Sequence, residues 1–228
     1  MVMQTVVIVS ATRYNKTDFY SQSGLGRSIS QSYSQFPLRS KIYFSNTRSL
    51  SVCYNDAIST SSVDDILIFV HDDVLLIDFF WLDKIYWGFQ QFDILGLAGN
   101  KRRVPKQPAW AFIDDKFTWD DRSNLSGVVG HGKQFPCTIA GFGPPGQPCK
   151  LMDGVFLAAK NSILRKHEIQ FDERFDFHFY DLDFCRQAER KNLRMGTIPL
   201  GLIHESGGNF SSSEWKAGYA RYLDKWKE

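Results

Sequence analysis

Cysteine is scarce in this chain. Four residues in 228, Cys53, Cys137, Cys149 and Cys185, are scattered and form no C-x-x-C pair. That spacing excludes a structural zinc ribbon and a disulfide-stapled scaffold, and free thiols fit a reducing, cytoplasmic compartment. Long hydrophobic runs are missing too. No stretch approaches the ~18 apolar residues of a membrane span, so no transmembrane segment is expected, although peripheral association with the inner face of a membrane stays open. The first ten residues lack the basic start and apolar core of a signal peptide and read as a strand. Charge of one sign is also lacking. A net charge of +2 implies neither a polyanion-binding surface nor an acidic tail, and no nucleic-acid partner. Repeats, low-complexity tracts and linkers are absent. The chain reads as a single domain over residues 1–228, with halves at 1–99 and 100–228.

Aromatic residues are abundant: 19 Phe, 9 Tyr and 6 Trp, or 15% of the chain. They fill a core or leave rings free to stack on a flat ligand. Thr5–Ser10, Lys41–Phe44, Ile66–Val70 and Ile94–Ala98 read as strands, and Leu50–Thr60 and Asp78–Phe92 as helices between them, the latter capped by Asp78. Ser21–Gln35 has weaker helical character. Strands separated by helices predict an α/β fold with a mostly parallel central sheet. Residues 99–150 hold most of the glycine and proline and predict loops and short antiparallel strands, a smaller second region. Gly154–Ala159 and Met195–Ile198 read as further strands, and Lys160–Lys166, Asp181–Lys191 and Glu214–Trp226 as helices.

The buried-looking strand Ile66–Val70 runs directly into His71, Asp72 and Asp73. Ligands of open α/β sheets bind at the carboxyl ends of strands. Adjacent carboxylates repel and call for a cation, so the cluster reads either as a divalent-metal site or as a solvated acidic turn. A second cluster, Asp181 and Asp183, follows the aromatic run Phe175–Tyr180. Two apart in a first helical turn, these carboxylates do not share a face. One can enter a cleft while the other caps amides or pairs with a base such as Arg186. A carboxylate among rings loses solvation and becomes a stronger base; the alternative is a simple helix cap. The third cluster is His204, followed by Gly207 and Gly208, which reads as a structural histidine or a ligand on a turning loop.

Together these segments resemble family-2-like glycosyltransferases of the GT-A fold. Ile66–Asp73 resembles their strand and DxD motif, here in a His-Asp-Asp form. Val52–Ile58 resembles the helix bearing Asn55, and Met152–Ala158 the Asp-Gly segment of the acceptor side. Phe171–Phe175 with Phe179–Arg186 resembles their acidic catalytic stretch. Ile203–Gly207 resembles the segment of the late histidine, and Trp215–Trp226 the C-terminal helix. The matches run in order over residues 50–228.

The resemblance implies a nucleotide-sugar-binding fold and a metal-dependent, inverting transfer from a nucleoside-diphosphate-sugar donor to a glycan or lipid-linked glycan acceptor, in surface glycan synthesis. Asp73 and His204 would bind manganese or magnesium. Asn55, His71, Asp72, Asp153 and Gly154 would line the donor. Asp181 would be the catalytic base, oriented by Asp183 and Arg186. Residues 102–146, with Trp110, Trp119 and Phe142, are the candidate acceptor wall. Two alternatives remain: a nucleotidyltransferase, disfavoured because Ser10–Asn15 holds no glycine, and a non-catalytic glycan- or nucleotide-binding relative.

Overall fold

The computed structural model describes residues 4–31, 38–208 and 210–228. The first half contains β1 (Val6–Ala11), α1 (Lys16–Gln22), α2 (Gly24–Gln31), β2 (Leu38–Tyr43), α3 (Leu50–Thr60), β3 (Ile66–Val70), β4 (Val74–Leu76), α4 (Trp81–Gln91), β5 (Ile94–Gly96) and β6 (Ala98–Asn100). The second contains β7 (Leu125–His131), β8 (Thr138–Gly143), β9 (Leu151–Met152), β10 (Phe156–Lys160), α5 (Asn161–Lys166), α6 (Tyr180–Arg190), β11 (Met195–Thr197), β12 (Leu202–His204) and α7 (Ser213–Trp226).

Val6–Val9 and all of β3 are buried, as strands without a polar face must be. They form the middle of a six-stranded sheet in the order β2-β1-β3-β10-β5-β11. β1 pairs in parallel with β2 and β3, placing Val6 opposite Ile66 and Val9 opposite Phe69. β10 is antiparallel to both its neighbours, and β5 and β11 are parallel to each other. The sheet is therefore mostly parallel with one reversed strand. α3 packs against β1 and β3, α4 against β5, and α6 against β11.

A second six-stranded sheet has the order β4-β12-β7-β6-β9, with β8 also on β7. Only its β12–β7 pair is parallel. Residues 99–150, expected as loops and short strands, supply β7, β8 and most of β6.

The chain crosses from one sheet to the other at short junctions. Residues 71–73 join β3 to β4, Leu97 joins β5 to β6, 153–155 join β9 to β10, and 198–201 join β11 to β12. The first of the three chemical clusters read from the sequence, residues 71–73, is itself one of these crossings.

Two local expectations change. The segment from Ser21 divides into α1 and α2 at Ser23, whose hydroxyl accepts from the Gly26 amide. A Cβ on Gly26 would lie 2.0 Å from the Phe19 carbonyl oxygen, so only glycine lets the two helices meet this closely. Residues 32–35 of that segment lie outside the described residues. Asp78 does not cap α4. The helix starts at Trp81, and the Asp78 carboxylate accepts instead from the Phe80 and Gly201 amides and from Lys84.

Candidate active site

The register of the second sheet assembles the first part of the site. β4 and β12 pair antiparallel with Val74 opposite His204, and the Glu205 amide donates to the Asp73 carbonyl. This sets Asp73, just before β4, against His204 at the end of β12. Asp73 Oδ1 lies 3.3 Å from His204 Nε2. His71, at the carboxyl end of β3, completes a group whose potential ligand atoms all fall within 4.8 Å of one another. The charges respond to this contact. Burial pulls Asp73 up, but the hydrogen bond and charge of His204 prevail and hold it well below the usual carboxylate range. Burial pulls His204 down, but Asp73 raises it above an ordinary imidazole. For His71 burial prevails, and its imidazole is shifted toward the neutral form.

Two imidazoles and one carboxylate suit a divalent transition metal, and among the described residues the ion-pair partner of the carboxylate is His204 itself. A second layer orients them. The Tyr180 hydroxyl donates to the Gly154 carbonyl at 2.9 Å and lies 2.8 Å from His71 Nε2. A hydroxyl has a single proton. With that proton on Gly154, His71 donates from Nε2 and its Nδ1 lone pair is left for a metal. Beyond His204, Arg27 of α2 holds Glu205 at 2.8 Å and also reaches the Lys133 carbonyl, which ties the loop after β12 to its neighbours.

Asp72 points elsewhere. Burial raises its carboxyl, and a hydrogen bond from the Thr12 side chain, just beyond β1, partly offsets this. Its carbonyl accepts from Leu25 in α2. It belongs to the side of the site formed by the end of β1.

Asp153 and Asp181 form the second part. Asp153 sits at the β9–β10 crossing. Its Oδ2 accepts from the Trp110 indole at 2.7 Å and its Oδ1 from the Val155 amide at 2.8 Å. Asp181 lies in the first turn of α6, which begins after Phe179 in a left-handed conformation with φ of 67°. Its oxygens accept from the Gly154 and Leu182 amides, each at 2.9 Å. Among the described residues no cation pairs with it. Burial, and then the charge of Asp153, push its carboxyl up to about 7. Gly154 is needed for packing: a Cβ there would lie 2.3 Å from the Tyr180 hydroxyl.

Both parts open on one cavity of about 670 Å³. His71, His204, Asp153 and Asp181 line it, as do Trp110, Trp119 and Phe142 from the region expected to form an acceptor wall.

Residues 40–202 match the model of a glycosyltransferase-like family. The chain belongs to that family. No curated protein matches it at a significant level. Among solved structures, the mannosyltransferase PcManGT from Pyrobaculum calidifontis, in complex with GDP-Man and Mn2+, is similar with a TM-score of 0.52 and 13% identity, over 97% of this chain and 63% of its own. GalNAc-T7 with UDP, GalNAc and Mn2+ gives 0.58 and 10%, over 98% and 50%. TarS of S. aureus gives 0.51 and 12%, over 90% and 37%. The family member described here thus spans between 37% and 63% of the length of these structures, and it has the GT-A fold they share.

Three residues expected at this glycosyltransferase-family site have other partners in the structure. Asn55 is not brought to the cavity: its amide donates to the Phe171 carbonyl at 2.8 Å and accepts from the Phe171 amide at 2.9 Å, pinning α3 to that segment. Asp183 does not orient Asp181. It is fully buried and bound to Lys225 at 2.6 Å and to the Trp226 indole at 2.9 Å. Arg186 pairs with Glu228 at 2.7 Å and stacks on Trp226. The backbone amides of Gly154 and Leu182 orient Asp181 instead. Tyr180 was missed as a functional residue. Its only signal was adjacency to Asp181, because its partner His71 lies 109 residues away.

Proposed function

We propose that this protein is a metal-dependent, inverting glycosyltransferase that moves a sugar from a nucleoside-diphosphate-sugar to an acceptor hydroxyl in surface glycan synthesis. The observation that carries this reading is the pairing of two sites in one cavity: a His71, Asp73 and His204 group fit for a divalent cation, and Asp181, an unpaired carboxylate with its pKa near 7. His71, Asp73 and His204 would hold manganese or magnesium. A cation bound there offsets the negative charge that develops on the departing diphosphate.

The remaining chemistry belongs to the chain. Asp181 accepts the proton of the acceptor hydroxyl as its oxygen bonds to the anomeric carbon and the bond to the diphosphate oxygen breaks. Direct attack from the face opposite the leaving group inverts that carbon. Asp153, held by Trp110 and Val155, borders the donor sugar. Asp72 and Thr12 face the nucleoside side. Among the described residues no helix is long and apolar enough to cross a membrane. A cytoplasmic location, with a glycan or lipid-linked glycan acceptor offered at the membrane face, accords with this reading.

The test is a panel of nucleotide sugars assayed for release of free nucleoside diphosphate with and without Mn2+. Metal-stimulated release from at least one donor is expected. Release from none, with no nucleoside diphosphate bound by calorimetry in either condition, would reject the reading.

A further inference from the structure

The cavity has two walls of different chemistry. One carries the carboxylates Asp153 and Asp181 with the site histidines. The other is aromatic. Trp119 and Phe142 lie nearly parallel, with planes at 16° and centroids 6.0 Å apart. Trp110 meets Phe142 edge-on at 4.8 Å, and Phe112 meets Trp119 edge-on at 5.1 Å. These rings brace the pair, yet Trp119 itself remains 55% exposed. A braced ring left open inside a cavity is a platform for a ligand.

The electrostatics narrow what that ligand is. Among the described residues lining the cavity there is no lysine or arginine. Arg102 and Arg103, at the start of the segment that builds the wall, are already paired with Asp120 and with Glu189 and Glu228. With the His71, Asp73 and His204 group engaged by the donor diphosphate, a phosphate or uronate on the acceptor would meet two carboxylates and no lysine or arginine at the aromatic wall, which opposes binding. A lipid tail or flat apolar group would cover the rings but leave the carboxylates and imidazoles desolvated without partners. A pyranose ring satisfies both walls: its faces are C–H surfaces and its edges are hydroxyls.

We propose that Trp119 and Phe142 form the acceptor subsite for a neutral saccharide, which stacks on them while one hydroxyl reaches Asp181. The assignment rests on the glycosyltransferase reading above and specifies its acceptor class.

The experiment is an array of neutral oligosaccharides beside matched uronate- and phosphate-bearing ones and apolar aryl glycosides, probed with the full chain in Mn2+ and a nucleoside diphosphate. Nucleoside-diphosphate binding is measured separately by calorimetry. Retention of neutral members is expected, reduced about tenfold in Trp119→Ala and restored in Trp119→Phe. Retention confined to anionic or aryl members, no retention of neutral members by a protein that binds nucleoside diphosphate, or unchanged retention in Trp119→Ala would overturn the proposal. Loss of nucleoside-diphosphate binding in the wild-type chain would instead reject the reading beneath it.

Discussion

Asp181 and Asp183 stand two residues apart on α6, yet they face different regions of the molecule. Asp181 faces the cavity, is held by two backbone amides and has no cation beside it. Asp183 faces α7, where Lys225 and Trp226 hold it, and Gln187 of its own helix donates to it. Lys225 and these hydrogen bonds oppose the upward pull of burial on Asp183, whereas two amides leave Asp181 near 7. One helical turn therefore holds both a cavity-facing carboxylate with few partners and a buried one bound on all sides. The contrast shows why an acidic pair in a sequence does not reveal which member acts.

Breaking that contrast gives the largest predicted effect. Asp181→Asn should lower the turnover rate of sugar transfer by roughly 10³-fold while nucleoside-diphosphate binding persists, because a positioned base contributes on that scale. Transfer near the wild-type rate would remove Asp181 from the role. The mirror-image change, Asp183→Ala, should cost about 2 kcal/mol of folding stability in urea unfolding, since it leaves the buried Trp226 indole N–H without its acceptor and Lys225 with Asp172 alone. Its folded fraction should keep transfer activity. A stable but inactive variant would show that the two faces are not separate.

A smaller effect is expected at the link between the two parts of the site. Tyr180→Phe keeps the ring but removes the hydroxyl that orients His71. Mn2+ affinity, read by calorimetry, should fall about 10–100-fold with little change in the circular dichroism spectrum. Unaltered affinity would make Tyr180 a packing residue only.

The smallest effect is a pH dependence. The base acts ionised, so kcat/KM should rise with pH through about 7, the value to which Asp181 is pushed. Stability should run the other way. The folded pKa of Asp181 is above that of the unfolded chain, roughly 3.9, so the folded state holds the extra proton between those values. Its contribution is complete below the unfolded value and fades as pH rises to about 7. Unfolding curves at pH 5 and pH 8 should differ less for Asp181→Asn than for the wild type.

The local parts of this molecule were readable before its structure. The apolar run Ile66–Val70 ending in His71, Asp72 and Asp73 specifies a buried strand and a polar end, and both are signals within a few residues. Asp153, Asp181 and His204 were likewise exposed by neighbouring glycines and aromatics. What stayed hidden was set by long-range register. That Asp73 meets His204 follows from Val74 pairing with His204, 130 positions further on, in a strand pair only three residues long. Asn55 had the right residue type in the right helix, but its choice of Phe171 over a ligand depends on how α3 seats against a segment more than a hundred positions away. Asp183 and Arg186 were assigned by proximity in sequence, while their partners Lys225, Trp226 and Glu228 are brought by α7.

The sheet crossings divide the chain into parts with and without slack. Residues 71–73 and 153–155 are three-residue spans fixed at both ends by strands, so an insertion there would pull the metal group or Asp153 out of place. The stretches 101–124 and 132–137 begin and end on the same sheet and carry Trp110, Trp119 and the β7–β8 turn. Away from Trp110, which holds Asp153, and the Lys133 carbonyl, which holds Arg27, they can lengthen without pulling on the strands that carry Asp73 and His204. The architecture thus keeps the stretches that carry the aromatic wall apart from the crossings that fix the acidic and histidine side chains.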